Sequence, residues 1–425
     1  MTRPTILLSE GSSTNARETI TALGLAGYHV DVCDPNPACL ARFSRFVGRV
    51  HRCPASGTDP MGYLRTVIRL VREHGYDVLL PVNEQAYLFA WAHELLEPLA
   101  GLALADFEAF TQVQTKTAFV RLLGDLGLPH PTTRIVHDWT ALEDAMAELG
   151  HPCWIKTPEG TASIGVWRIR DRADAAQLST APGITRGLDS PDGLVVQAQA
   201  MGSFEQAHAI FDHGRLVALR TDRRLAEGTN GGPALKVGVD RPLVADQFRL
   251  LGTHLSWHGG FSADYFWDEA SQEAAYIDCN PRLTDPMNSL VNGVNLADLH
   301  VRLSLGEELP EVPGGTLSAR SHGLIHSILG AAVDGEGRRG VLAAATTVVG
   351  RRGDFRGSVE GLTPLRVDPP SVIAAGYTLA RLLVNPGCAQ RLATDTIVSY
   401  SLGQVIPHLA GVGPETFGLA RPAAG

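Results

Sequence analysis

The chain has 425 residues and a formal net charge of −9, long enough for two or three domains and too acidic for a protein that grips nucleic-acid phosphates. Six cysteines, Cys33, Cys39, Cys53, Cys153, Cys279 and Cys388, form no C-x-x-C pair or Cys/His zinc spacing, so they read as buried thiols of a reducing compartment. The amino terminus turns polar too early for a signal peptide, and no apolar run approaches about 18 residues. A soluble cytoplasmic protein with no nucleic-acid or membrane partner is expected.

Residues 5–9 make a buried-strand run, 10–15 a polar Gly/Ser loop, 16–27 a helix ended by glycine, and 28–33 a second strand. A helix over 61–74 leads into a strand at 77–81, so a parallel βαβ sheet follows. The first loop lacks G-x-G-x-x-G, which removes the dinucleotide fingerprint. Glu10 and Glu84 stand at carboxyl ends of strands, where open α/β sheets receive ligands, although a solvated loop acid or a helix cap is the commoner role.

A helix over 111–126 carries Lys116, and a strand at 133–136 follows. The segment 154–167 is a strand ending in Lys156, a loop holding Gly160, Thr161, Ser163 and Gly165, and a second strand. Such a hairpin either closes over phosphates through backbone N–H groups and the lysine charge, or is an ordinary glycine turn beside a snorkelling lysine. Residues 220–236 pass from a basic stretch into a glycine loop, where Arg224 and Lys236 are candidates for phosphate or carboxylate contacts or else line an exposed loop.

The most informative segment is 276–282, Tyr-Ile-Asp-Cys-Asn-Pro-Arg. Strand alternation turns Asp278 and Asn280 to one face. Residues 261–267 alternate likewise, which places Asp264 across a sheet from Asp278. Two carboxylates and an amide oxygen are hard ligands of the kind Mg²⁺ takes. Arg282, just past the strand, can hold an anion by forked hydrogen bonds. Asn288, Asn292 and Asn295 follow as substrate contacts or, for Asn295, as the cap of a helix starting near Leu296. After a Pro/Gly-rich linker at 310–315, amphipathic stretches occupy 318–329, 371–383 and 389–409. His322 and His326 lack the intervening glutamate of H-E-x-x-H, so they read as structural.

Taken in order, Lys116, Lys156 with its glycine loop, Asp264, and the run Asp278, Asn280, Arg282 resemble the ATP-grasp superfamily over about the first three quarters of the chain. The likeness is to its carboxylate–amine ligase and carbamoyl-phosphate-synthase-like branch. It implies an α/β and α+β chain with a Rossmann-like pre-ATP-grasp domain at 1–110 and an ATP-grasp domain of two α+β subdomains at 111–307. An α-rich C-terminal extension at 308–425 then shapes an acceptor pocket or a homodimer interface. The resemblance makes Lys116 and Lys156 holders of the ATP phosphates, and Gly160, Ser163 and Gly165 part of the loop that covers them. Asp264, Asp278 and Asn280 become ligands of Mg²⁺ or Mn²⁺, with Asp278 in place of a commoner Glu. Arg282, Lys156 and Arg224 become catalytic. At the hinge over 195–205, Gln197 replaces an acid toward adenine, Ala200 offers backbone, and Glu205 takes the ribose from one place later than the family pattern. Lys236 joins the nucleotide contacts. The implied reaction joins a small-molecule carboxylate and an amine, an amino acid or small peptide, through an acyl phosphate, releasing ADP and phosphate. A bicarbonate-using carboxylase or carbamoyl-phosphate-like enzyme and a non-catalytic ATP sensor are the alternatives.

Overall fold

The computed structural model describes residues 3–160, 163–178, 181–314, 317–402, 409 and 412–417. Thr161 of the glycine loop and most of the stretch beyond 402 lie outside the described residues. The opening pattern folds as a parallel sheet of β1 (Ile6–Leu8), β2 (Val30–Asp34), β3 (Val47–Arg52) and β4 (Val78–Leu80), in the order β3-β2-β1-β4. Every residue of β1 and β4 is buried, as expected of short apolar strands covered on both faces. The helix Thr14–Leu25 starts where the Ser13 hydroxyl accepts from the Ala16 N–H. The helix Pro60–His74 ends on Gly75, whose φ of 63° supplies the left-handed turn into β4. This geometry brings the loops after β1 and β4, with Ser12, Asn15, Asn83 and Glu84, to one edge of the sheet and onto the central cavity.

A second, antiparallel sheet joins β5 (Thr133–Val136), β6 (Cys153–Lys156), β7 (Val166–Ile169) and β8 (Leu194–Ala198) in the order β5-β8-β6-β7. It has a core of its own, built from Leu142, Met146, Ile155, Ile184, Leu188 and Val196, so it stands as a separate lobe.

The third sheet comprises β9 (Ser203–Asp212), β10 (Arg215–Glu227), β11 (Pro233–Val239), β12 (Gly259–Asp268), β13 (Glu273–Asn280), β14 (Arg320–His322) and β15 (Val359–Glu360). Their order is β13-β12-β9-β10-β11-β14-β15. The helix Pro242–Leu255 covers one face, burying Val244, Phe248, Leu251 and Leu255 with Phe211, Phe261, Tyr265 and Tyr276. The opposite face carries polar side chains toward the cavity.

The amphipathic segment at 318–329 is not one element: β14 pairs with β11, so the large sheet runs past 308 into the extension, and the helix Leu324–Val333 follows. The helices Leu324–Val333, Gly337–Val349, Val372–Val384 and Ala389–Tyr400 close around Ile328, Leu329, Val341, Leu362 and Leu382. This bundle docks on the first domain through a buried ion pair of Arg17 with Asp368. Asp368 also accepts from the Ser44 hydroxyl at 2.7 Å and the Arg45 N–H at 2.8 Å. All six cysteines are free and buried. Among the described residues, no helix is long and apolar enough to cross a membrane.

Candidate active site

A cavity of about 1140 Å³ opens between the three sheets and the C-terminal helices. Its floor is the polar face of the seven-stranded sheet. Asp264 on β12 is the register partner of Asp278 on β13, and Ser262 is the partner of Asn280, so the strand periodicity places Asp264, Asp278 and Asn280 together on the cavity. Burial raises the Asp264 carboxyl to a pKa of about 6, and the neighbouring Asp278 charge adds to the rise. Gln206 donates to Asp264 Oδ1 at 2.9 Å from the adjacent strand β9.

Two lysines approach this carboxylate pair, and an arginine stands in the same cavity wall. Lys116 is the first residue of the helix Lys116–Asp125, which begins later than the expected 111 because the Thr115 hydroxyl caps it by accepting from the Ala118 N–H. The Lys116 ammonium lies 3.1 Å from Asp278 Oδ2 and donates to the Gly160 carbonyl at 3.0 Å. Lys156, at the end of β6, is buried and donates to Gln197 Oε1 at 2.8 Å and to the Ile277 carbonyl at 2.9 Å. Burial lowers its pKa to about 8, against the pull of Asp278. Arg282 is buried at the cavity wall, and its Nε has no hydrogen-bond partner.

The glycine hairpin between β6 and β7 lines the same space through Gly160 and Ser163. The Thr157 N–H donates to the Gly165 carbonyl at 2.8 Å, and the Pro158 carbonyl accepts from the Lys116 N–H at 2.8 Å, which ties the hairpin to the helix. Gly165 has φ 77°, and a side-chain carbon there would stand 2.1 Å from Thr157 Oγ1, so the turn requires glycine. Arg224 on β10 reaches the cavity, packs 4.4 Å over the Phe204 ring and donates to the Gly231 carbonyl. Ala200 borders the cavity, its carbonyl accepting from Gln199 at 3.0 Å.

Two expectations need correction. Glu205 points away from the cavity: its neighbours Phe204 and Gln206 line it, and alternation sends Glu205 to the covered face. There its carboxylate accepts from Arg241 at 2.7 and 2.9 Å and from the Tyr265 hydroxyl at 3.0 Å. Gln197 does border the cavity, where its Oε1 accepts from Lys156 and its amide donates to Thr133 Oγ1 at 3.1 Å. Lys236 lies off the cavity lining, between Asp222 at 3.5 Å and Asp285 at 3.4 Å. Burial disfavours its ammonium, but these carboxylates and Glu18 outweigh that and raise its pKa. Asn288 donates to Ser321, Asn292 to the Ala319 carbonyl, and Asn295 caps the helix Leu296–Ser304, so these asparagines shape the chain rather than the cavity.

Other cavity residues had no motif to mark them. Trp154 donates to Gln199 Oε1 at 3.1 Å, Phe204 and Phe266 meet edge to face at 5.7 Å, and Tyr400 enters from the last described helix. The two strand-end acids left open by the sequence, Glu10 and Glu84, are both buried. Glu10 accepts from Asn83 at 2.6 Å and from the Ser12 and Ser13 N–H groups, and burial with Asp34 nearby raises its pKa to about 7. Glu84 lines the cavity and accepts from the Leu402 N–H.

No protein-family model matches the chain. The carbamoyl phosphate synthase arginine-specific large chain of Lactiplantibacillus plantarum is 22% identical over 314 residues, covering 68% of this chain and 29% of that protein. The chain thus spans less than a third of that relative's length. Among solved structures, the ADP complex of purK, N5-carboxyaminoimidazole ribonucleotide synthetase, superimposes with a TM-score of 0.59 at 18% identity, over 82% of this chain and 88% of that one. The biotin carboxylase domain of the Hydrogenobacter thermophilus 2-oxoglutarate carboxylase, solved with MgADP and bicarbonate, gives 0.58 at 13% identity over 72% and 70%. The fold is ATP-grasp. The L-amino acid ligase of Bacillus licheniformis shares the ATP-grasp fold at a TM-score of 0.51 and 16% identity, over 72% of this chain and 75% of that one. The ATP-grasp fold also explains why the small lobe with its glycine hairpin faces the polar sheet: the cavity is the space between them.

Proposed function

We propose that this protein is a cytoplasmic, ATP-dependent carboxylate–amine ligase that forms an amide through an acyl phosphate and releases ADP and phosphate. The observation that carries this reading is one cavity that holds Lys116 and Lys156 beside the Asp264–Asp278 pair and Arg282 in its wall. The adjacent carboxylates call for a cation, and the buried, unpartnered Nε of Arg282 calls for an anion. Asp264, Asp278 and Asn280 offer hard oxygen donors, a set that fits Mg²⁺ or Mn²⁺. Magnesium, when bound, would neutralise phosphate oxygens and fix their orientation.

Lys116 and Lys156 then neutralise the phosphate chain under the glycine hairpin, and Arg224 borders the same cavity. A carboxylate oxygen of the acid substrate attacks the γ-phosphorus, the bond to the bridging oxygen breaks, and ADP leaves. The amine nitrogen next attacks the acyl carbon, loses a proton and displaces phosphate. Arg282 donates hydrogen bonds to the oxygen on which negative charge grows, so alignment and charge suffice without a side-chain nucleophile. Likeness to structures described with ADP, MgADP and as an L-amino acid ligase supports ATP use and an amino-acid substrate.

The test is ADP and phosphate release from Mg-ATP with pooled carboxylic acids and amino acids, followed by mass spectrometry. A product of acid plus amine minus water is expected. Release that depends on bicarbonate alone would replace this reading with a carboxylase, and ATP binding without release across the pools would replace it with a sensor.

A further inference from the structure

Beyond the phosphate end, the cavity continues between the first domain and the C-terminal helices, and there its wall changes character. Phe43 of the first domain faces Leu329, Ile373, Tyr377, Leu392 and Ile397 from three helices of the extension. Ile373 and Tyr377 are 52% and 57% exposed, although a solvated helix position normally takes a polar residue. The chamber is continuous with the reacting end through Tyr400. Tyr400, the last residue of the helix Ala389–Tyr400, lines the same cavity as Glu84 and Arg282. The Leu402 N–H, two residues on, donates to Glu84.

A polar head held near Arg282, Glu84 and Tyr400 would carry its next few atoms along this wall. A wholly polar substrate would leave the apolar side chains wet, whereas an aliphatic or aromatic limb removes them from water. We propose that the chamber receives the side chain of one substrate, and that this substrate is an amino acid with an aliphatic or aromatic side chain. The proposal rests on the ligase reading and adds the substrate class.

The experiment is amide formation at saturating Mg-ATP with a graded series from alanine through valine, leucine and phenylalanine, and with serine, asparagine and glutamate as polar counterparts. The wild type should prefer leucine or phenylalanine over alanine in kcat/KM by about tenfold or more. Ile373→Glu and Tyr377→Glu, at exposed helix positions that do not endanger folding, should each cut the apolar-to-polar ratio about tenfold through KM. Titrating the same series into the protein with Mg-ADP separates the two readings. Apolar members that bind selectively but yield no amide sink the ligase and leave the chamber standing. Amide formed without apolar preference, a profile unmoved by both variants, or no selective binding overturns the chamber.

Discussion

Lys156 and Lys236 are both buried lysines on sheets that border one cavity, and their surroundings give them opposite roles. Lys156 donates to two neutral acceptors, Gln197 Oε1 and the Ile277 carbonyl, and burial holds its pKa near 8. Lys236 sits between Asp222 and Asp285 with Glu18 close by, and its pKa is raised. A buried ammonium with neutral partners still attracts an incoming anion. One already matched by carboxylates holds elements together instead, here β11 to β10 and to the loop after β13. Residue type and strand position alone do not distinguish the two; the charge of the partners does.

The largest effect should come from Lys236→Met. It leaves the buried Asp222 and the partly buried Asp285 without their shared lysine, so urea unfolding should report a loss of about 3 kcal/mol. Lys156→Ala should show the reverse: about a hundredfold lower kcat/KM for ATP, or about 3 kcal/mol of transition-state stabilisation. Its folding free energy should stay within about 1 kcal/mol of wild type, since removing a charge that burial disfavours offsets the lost contacts. Full ADP production by Lys156→Ala, or wild-type stability in Lys236→Met, would break the comparison.

Glu205→Gln sharpens it from the acidic side. Weakening the buried partner of Arg241 and Tyr265 should cost about 2 kcal/mol in denaturant, while nucleotide affinity measured by calorimetry stays within about twofold. A smaller effect of opposite sign is expected at the carboxylate pair. The Asp264 pKa is raised from 3.8 to about 6 in the fold, so the stability linked to its proton is fully present below pH 3.8 and is lost as pH rises through 6. Asp264→Asn mimics the protonated form. Without magnesium it should therefore be about 1 kcal/mol more stable than wild type at pH 8 and no more stable at pH 3.5, by thermal denaturation at both values.

Much of the site was legible because strand periodicity is strict. Alternation put Asp278 and Asn280 on one face and suggested Asp264 across from Asp278, and the register pairs Asp264 with Asp278 just before a bulge shifts the strands at Tyr265. The same rule misplaces a residue when the count is off by one: Glu205 resembles a ribose ligand by type, but a single step along β9 turns it to the covered face. The partners of Gln197, and Asp285 beside Lys236, were not legible, because each comes from a strand or loop far away in the chain. Apolar stripes on the helices of the extension were visible too. A stripe does not say what it covers, so the wall formed by Leu329, Ile373 and Ile397 emerges only from the packing.

The buried pair of Arg17 and Asp368 bears on how such enzymes could be recombined. If the C-terminal extension forms the substrate chamber proposed above, transplanting it from one relative to another is a route to a new substrate range. A graft whose host lacks Arg17, or the Ser44 hydroxyl beside it, would bury the Asp368 carboxylate with part of its support removed. The unit to exchange is therefore the first domain and the C-terminal helices together, moved as a matched set around a middle of the fold that can be left in place.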